Sequence, residues 1–144
     1  MDRGIGNPEE QTPETVREYA PFLDSRGIRQ MGKASREKGK RGEREAANLI
    51  RDWTGWDIRR RVRQHDGDSD LEGVPGWSVE VKNVSKPTLG QVAQWVSQAQ
   101  EQANGLRWVL VYKRQPGQWR AVWEMEGIEV EASLLNWCKV ARGN

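Results

Sequence analysis

The sequence has almost no cysteine or histidine. Cys138 and His65 each stand alone. One cysteine excludes an intramolecular disulfide, and one of each excludes a Cys/His zinc site. A serine or cysteine nucleophile with a histidine base would have to use His65, and no motif surrounds it. Long apolar runs are missing too. Nothing approaches the ~20 apolar residues of a membrane span, and no secretory signal opens the sequence. The expectation is a cytoplasmic protein. No internal repeat is found.

What the sequence does have is charge and tryptophan. Charged residues make up 31% of it, and there are eight tryptophans in 144 residues. So high a charge raises the question of disorder, but the tryptophans and several clean apolar periodicities argue for one folded domain. Net charge is only +2, yet it is unevenly spread. Lys33 to Arg63 holds 11 basic and 5 acidic residues, whereas the segments on either side are each acidic by two. A local basic block beside acidic clusters fits a polyanionic partner. A solvated charged helix is the plainer reading of the same block.

Residues 1–34 are rich in Pro, Gly and charge and read as a weakly ordered arm. Residues 35–144 read as the folded domain. The spacing predicts a helix over Ser35 to Trp53, with Ser35 as its cap. Ala46, Ala47, Leu49, Ile50 and Trp53 cluster on one side of it. Glu43 lies about 56° from the centre of that side and Glu45 about 104°. Glu43 therefore sits on the edge of the buried face, and Glu45 looks outward. Gly39 and Gly42 fall near the centre, where glycine lets another backbone come close. Lys40, Arg41, Arg44 and Arg51 fall on the far side, where they can meet phosphates.

A strand follows over Asp57 to Arg63, with Arg59, Arg61 and Arg63 on one face. They require counter-charge from nearby carboxylates or from nucleic-acid phosphates. Asp66, Asp68 and Asp70 resemble the start of an EF-hand calcium loop, but Leu71 and Trp77 stand where that loop needs Gly and Glu. Pro87-Thr88 opens a second helix that runs to Asn104-Gly105. Gln91, Trp95 and Gln98 share one of its faces. Arg107 to Lys113 and Gln118 to Glu124 read as strands joined by Gln115-Pro116-Gly117. Glu131 to Ala141 reads as a last helix. The order is α-βββ-α-ββ-α, an α/β fold with a mixed sheet flanked by helices.

The stretch from Asp70 to Lys82 organises the rest. Trp77 to Lys82 alternates as a half-buried strand does, so Ser78, Glu80 and Lys82 share one face. Val74-Pro75-Gly76 turns the chain back on itself. Parity then decides the pairing. A two-residue loop separates Asp70 and Glu80 onto opposite faces. A three-residue loop sets them opposite each other, Cβ atoms roughly 4.5–5.5 Å apart. The odd loop, or a bulge of equal effect, is expected. Two such carboxylates can share a divalent cation. The plainer alternative is a surface hairpin with an ordinary Glu–Lys pair.

Asp70 followed by Glu80-Val81-Lys82 on a strand resembles the PD-(D/E)xK nuclease superfamily. Lys38-Gly39-Lys40-Arg41-Gly42-Glu43-Arg44-Glu45 resembles the first helix of the archaeal-type Holliday-junction resolvases within it. The similarity covers about Lys38 to Tyr112. Ser69 stands where the superfamily name has Pro. The resemblance implies a restriction-endonuclease-like core and a Mg²⁺-dependent DNA endonuclease, with Mn²⁺ as a possible substitute. It makes Glu43, Asp70 and Glu80 the metal carboxylates and Lys82 the catalytic lysine. DNA-backbone contacts would come from Lys38, Lys40, Arg41 and Arg44 and from Arg59, Arg61 and Arg63. Gln98 is a candidate support to the site. The family also implies a homodimer acting on four-way junctions. Two alternatives stand beside it: a repair or restriction-type nuclease on duplex or single strands, and a non-catalytic nucleic-acid binder with a nuclease-like fold.

Overall fold

The local signals for the second helix are met in the computed structural model, which describes residues 25–62 and 69–143, with the backbone alone for residues 25–31. Thr88 caps α2 (Leu89–Gln102): its side chain accepts from the Gln91 N–H, and the Gln91 side chain accepts from the Thr88 N–H. This reciprocal cap satisfies two backbone donors that the first turn leaves without partners. Asn104 and Gly105 then take φ of 54° and 92°, a left-handed stop that favours these two residues. Ser133 caps α3 (Leu134–Ala141) by accepting from the Asn136 N–H.

The first helix departs from expectation. α1 spans Ser25–Thr54, so it begins ten residues before Ser35, which lies inside it and is not its cap. Serine caps a helix only where the preceding chain turns away. Arg29, Gln30, Met31, Lys33 and Ala34 are all good helix formers, and no proline interrupts them. The chain divides into two compact units, Met1–Glu37 and Lys38–Asn144. Of the first, residues 25–37 are described, and they are helical.

Among the described residues the second unit carries six strands: β1 (Arg59–Arg60), β2 (Leu71–Glu72), β3 (Trp77–Lys82), β4 (Arg107–Gln115), β5 (Gln118–Met125) and β6 (Ile128–Ser133). They lie in one sheet in chain order. β3 and β4 are parallel, and every other neighbouring pair is antiparallel. A parallel pair needs a long crossover, and α2 supplies it.

The fold is thus α/β with a mixed sheet, in the order α-βββ-α-βββ-α, one strand more than expected. Glu126 and Gly127 take φ of 52° and 80° between the paired Met125 and Ile128. Two positive-φ residues make a tight hairpin. They start β6 where a loop leading into a helix is expected, and α3 begins at Leu134 rather than Glu131. β1 is also shorter than the expected Asp57 to Arg63.

Helices cover both faces of the sheet. On one face Val79, Val81, Val109 and Val111 pack with Ala46, Ala47 and Ile50 of α1 and with Leu134, Trp137 and Cys138 of α3. Trp77 and Trp137 meet edge to face at 5.4 Å, the arrangement that ring quadrupoles favour. Burial pushes the Cys138 thiol up to about 12, so it is inert packing. On the other face Trp108, Leu110, Tyr112 and Val122 receive Val96, Ala99 and Ala103 of α2. Among the described residues, no helix is long and apolar enough to cross a membrane.

Gly39 and Gly42, both expected near the centre of the buried side of α1, part company. A Cβ on Gly42 would lie 2.5 Å from Asn83 Cβ, whereas one on Gly39 would meet nothing within 4 Å. Gly42 is therefore where the chain leaving β3 crosses the helix. Gly42→Ala must push away the residue that follows Lys82. Overpacking of this kind costs about 1–3 kcal/mol. We expect a lower Tm by thermal denaturation, and no such change for Gly39→Ala.

Candidate functional site

The hairpin before β3 holds two buried carboxylates. Pro75 and Gly76 (φ 79°) occupy the middle of a turn in which the Trp77 N–H donates to the Val74 carbonyl, the type II pattern. Gly73 takes φ 100°, and a Cβ there would lie 2.3 Å from the Asp57 carbonyl oxygen, so only glycine lets the hairpin settle against the chain before β1. Leu71 pairs with Val79. That register has the parity expected of a three-residue loop, and Asp70 lies next to the paired position, hydrogen-bonded to Val79 and Val81 on either side of Glu80.

Asp70 is held by backbone from both sides. Its N–H donates to the Val79 carbonyl, and its own carbonyl accepts from the Arg61 N–H, both at 2.9 Å. Its carboxylate Oδ2 accepts from the Val81 N–H at 2.7 Å. The side chain thus takes a place in the sheet that a strand carbonyl would otherwise fill, and this fixes its orientation. Asp70 is 8% exposed and Glu80 4%. Carboxylates are almost never buried so deeply unless paired or used.

Glu43 joins them from the edge of α1, not from the centre of its packed face. The apolar side of that helix lies on Val79 and Val81, whereas Glu80 and Lys82 alternate onto the opposite face of β3. Glu43 Oε1 lies 3.5 Å from Arg60 Nη1, both side chains being mostly buried. Burial, and next the charge of Asp70, raise the Glu43 carboxyl above the usual range, while Arg60 and Arg44 pull it down. Glu80 is pushed up to about 8, by burial first and then by Asp70, with Glu43 adding and Lys82 opposing. The three carboxylates and Lys82 therefore share one electrostatic neighbourhood.

Glu45 stands elsewhere. Its Oε1 is 2.9 Å from Lys113 Nζ on β4, across the helix from Glu43. Of the two glutamates, Glu43 is the one that acts electrostatically on Glu80 and feels Asp70.

Among the described residues, no three His, Cys, Asp or Glu side chains form a ready-made group that holds a metal ion. The donor chemistry nevertheless suits one. Asp70 and Glu80 are buried oxygen donors whose mutual repulsion a divalent cation relieves. Glu43, paired with Arg60, is a third carboxylate in the same electrostatic neighbourhood.

The arginines fall differently from the expected alternation. Arg59 is exposed and lies 3.1 Å from Asp57. Arg61 lies 3.3 Å from Glu72, and its Nε donates to the Ser69 carbonyl. Neighbouring carboxylates thus supply their counter-charge. Arg63 lies outside the described residues. Arg60, which sequence reasoning misses, is the one that reaches the site. Its signal is the same alternation read with the other parity, which points the even residue at Glu43.

Lys40, Arg41 and Arg44 are exposed on α1, and Lys38 is half-buried. Arg51, expected to face phosphates, instead donates to Asn48 and to the Ile58 carbonyl. Gln98 is half-buried and lines a shallow groove with Gln94, Trp95, Ser97 and Glu101 of its own helix. The chain matches no family model, no curated protein and no solved structure.

Proposed function

We propose that this protein is a Mg²⁺-dependent DNA endonuclease that cuts branched DNA, on a restriction-endonuclease-like core. One observation carries the reading: Asp70 and Glu80 are both buried, Asp70 is hydrogen-bonded to the residues on either side of Glu80, Lys82 follows on the same strand face, and Glu43 lies close enough to shift Glu80. Asp70 and Glu80, with Glu43, would hold Mg²⁺, or Mn²⁺ in its place. When bound, such an ion polarises the phosphate and lowers the pKa of a water. Lys82 offsets the charge that grows on the phosphate oxygens as a P–O ester bond gives way to water. Arg60 positions Glu43.

Lys38, Lys40, Arg41 and Arg44, with Arg59 and Arg61, present cations for DNA phosphates. Contacts of this kind fix register but read no sequence. Selection of a junction therefore rests on geometry, and resolution of one needs two cuts. The proposal accordingly carries a homodimer, which light scattering measures.

The test is cleavage of a four-way junction and of a supercoiled plasmid by the purified protein, in Mg²⁺ and in EDTA. We expect paired Mg²⁺-dependent nicks in the junction and little cutting of the plasmid. Equal cutting of both indicates a nuclease of ordinary duplex. Binding to DNA without cleavage leaves a non-catalytic binder.

A further inference from the structure

The opposite flank of α1 carries a second cluster of charge. A pocket of about 840 Å³ opens there, lined among others by Lys38, Arg41 and Glu45 of α1, by Lys86 of the chain between β3 and α2, and by Lys113 and Arg114 of β4. Two of the five cations are already matched. Lys113 pairs with Glu45, and Arg114 lies 2.8 Å from Glu131. Lys38, Arg41 and Lys86 supply the excess positive charge, and a concave wall of net positive charge focuses the field on an anion.

The pocket is preformed. The Lys38 ammonium donates to Ser85 Oγ at 2.9 Å, and the Asn83 amide donates to the Lys38 carbonyl at 3.0 Å. Asn83 itself rests on Gly42. These contacts tie the chain after β3 to α1, so the wall needs no rearrangement to receive a ligand.

Lys86 is strained. Its φ is 50°, where the Cβ of an L residue crowds the backbone. Pro87 restricts it further, because a residue before proline is pushed towards extended conformations. Asparagine or glycine would be comfortable there. A lysine held in such a conformation at the rim of a cationic pocket points to a use for its side chain.

We propose that this pocket holds a phosphodiester of the DNA backbone other than the one cut, with Lys38, Arg41 and Lys86 as its cationic partners. The inference rests on the nuclease reading above. The pocket lies on the Glu45 flank of α1 and the carboxylates on the Glu43 flank, so one phosphate cannot serve both. Its volume is far larger than a lone phosphate requires and has room for the sugar and the adjoining backbone. Lysines supply point charges, and Arg41 supplies a planar fork that matches phosphate oxygens.

The test is fluorescence anisotropy of a labelled four-way junction in EDTA, across a salt titration, with wild type, Lys86→Asn and the double variant Lys86→Asn/Arg41→Gln. We expect the double variant to bind roughly tenfold or more weakly at low salt. Its log–log salt slope should be shallower by about 0.9, for the one phosphate that is no longer neutralised. Lys86→Asn alone should weaken binding while its Tm stays level or rises, since asparagine tolerates left-handed backbone. A merely structural lysine would not separate the two in this way.

Wild-type affinity and slope in the double variant would overturn the proposal. So would protection of the wild type by inorganic phosphate with junction binding unaltered, which reassigns the pocket to a small anion. Mg²⁺-dependent cleavage by the wild type is measured in the same preparation. Cleavage with unaltered binding removes the pocket and keeps the nuclease, whereas pocket-dependent binding without cleavage does the reverse.

Discussion

Asp70→Asn and Glu80→Gln should each lower Mg²⁺-dependent cleavage of a junction by roughly a thousandfold or more, a barrier rise of about 4 kcal/mol. The amides keep the shape of the acids and remove the charge that a divalent cation needs. The choice of asparagine matters at position 70. Its carboxylate accepts from the buried Val81 N–H, and alanine would leave that donor unsatisfied, at about 1–3 kcal/mol. Asparagine keeps an acceptor there, so the fold should survive.

DNA affinity in EDTA should hold or tighten for Asp70→Asn, where a negative charge beside the phosphates is gone, and should hold for Glu80→Gln, whose metal-free carboxyl already carries a proton at neutral pH. Single-turnover rates and anisotropy separate the two effects. A variant that cuts at the wild-type rate refutes the site. A variant that loses affinity in step with rate makes these residues binding groups.

Glu43→Gln should lower the cleavage rate at least roughly tenfold, about 1.4 kcal/mol in barrier, whereas Glu45→Gln should cost little. The two residues are separated in sequence only by Arg44, and they point to opposite flanks of α1. Glu43 meets Arg60 and feels Asp70. Glu45 meets Lys113, and its side chain is about half exposed. Exposed pairs of that kind are worth about 0–1 kcal/mol, so the loss should show, if anywhere, in stability. Removing the charge of Glu45 also leaves the neighbouring pocket more positive, so junction binding should not weaken. A larger rate loss at position 45 than at 43 would move the chemistry to the other flank of the helix.

The hairpin is the most legible part of the chain. Its register follows from parity alone, because side chains on a strand alternate and one residue of loop length decides which faces meet. The phase of α1 is legible for a similar reason: only one stripe of that helix is apolar enough to pack, and this fixes Glu43 at its edge. The start of α1 is misread, since Ser35 has the chemistry of a cap and the weaker signal, the helix propensity of the residues before it, is easily overlooked.

β6 escapes a reading of the sequence because Ile128 to Ser133 mixes alternation with acidic residues and runs straight into a helix. The two-residue turn at Glu126-Gly127 lacks the Asn-Gly or Asp-Gly signature of such hairpins. Arg60 is hidden among four arginines in five positions, where only the third dimension selects one. The cationic pocket is assembled from residues 38–45, 83–87 and 113–116, and no window of sequence contains it.

If Glu43, Asp70 and Glu80 form one cation site, metal affinity must depend on the proton that Glu80 holds. Its carboxyl is raised from 4.5 to about 8, so the metal-free folded protein keeps a proton there that the unfolded chain has already lost. Metal-free stability should therefore fall as pH rises from about 4.5 to about 8. A cation binds the ionised form, so its affinity should rise over the upper part of the same window, with release of a proton.

The measurement is calorimetric titration of Mn²⁺ into the purified protein at pH 6, 7 and 8, with Glu80→Gln alongside. We expect a dissociation constant that tightens by up to roughly tenfold per unit and levels off near pH 8, and no comparable binding in the variant. Mn²⁺ binding that ignores pH, or that survives Glu80→Gln unchanged, would contradict a shared carboxylate site.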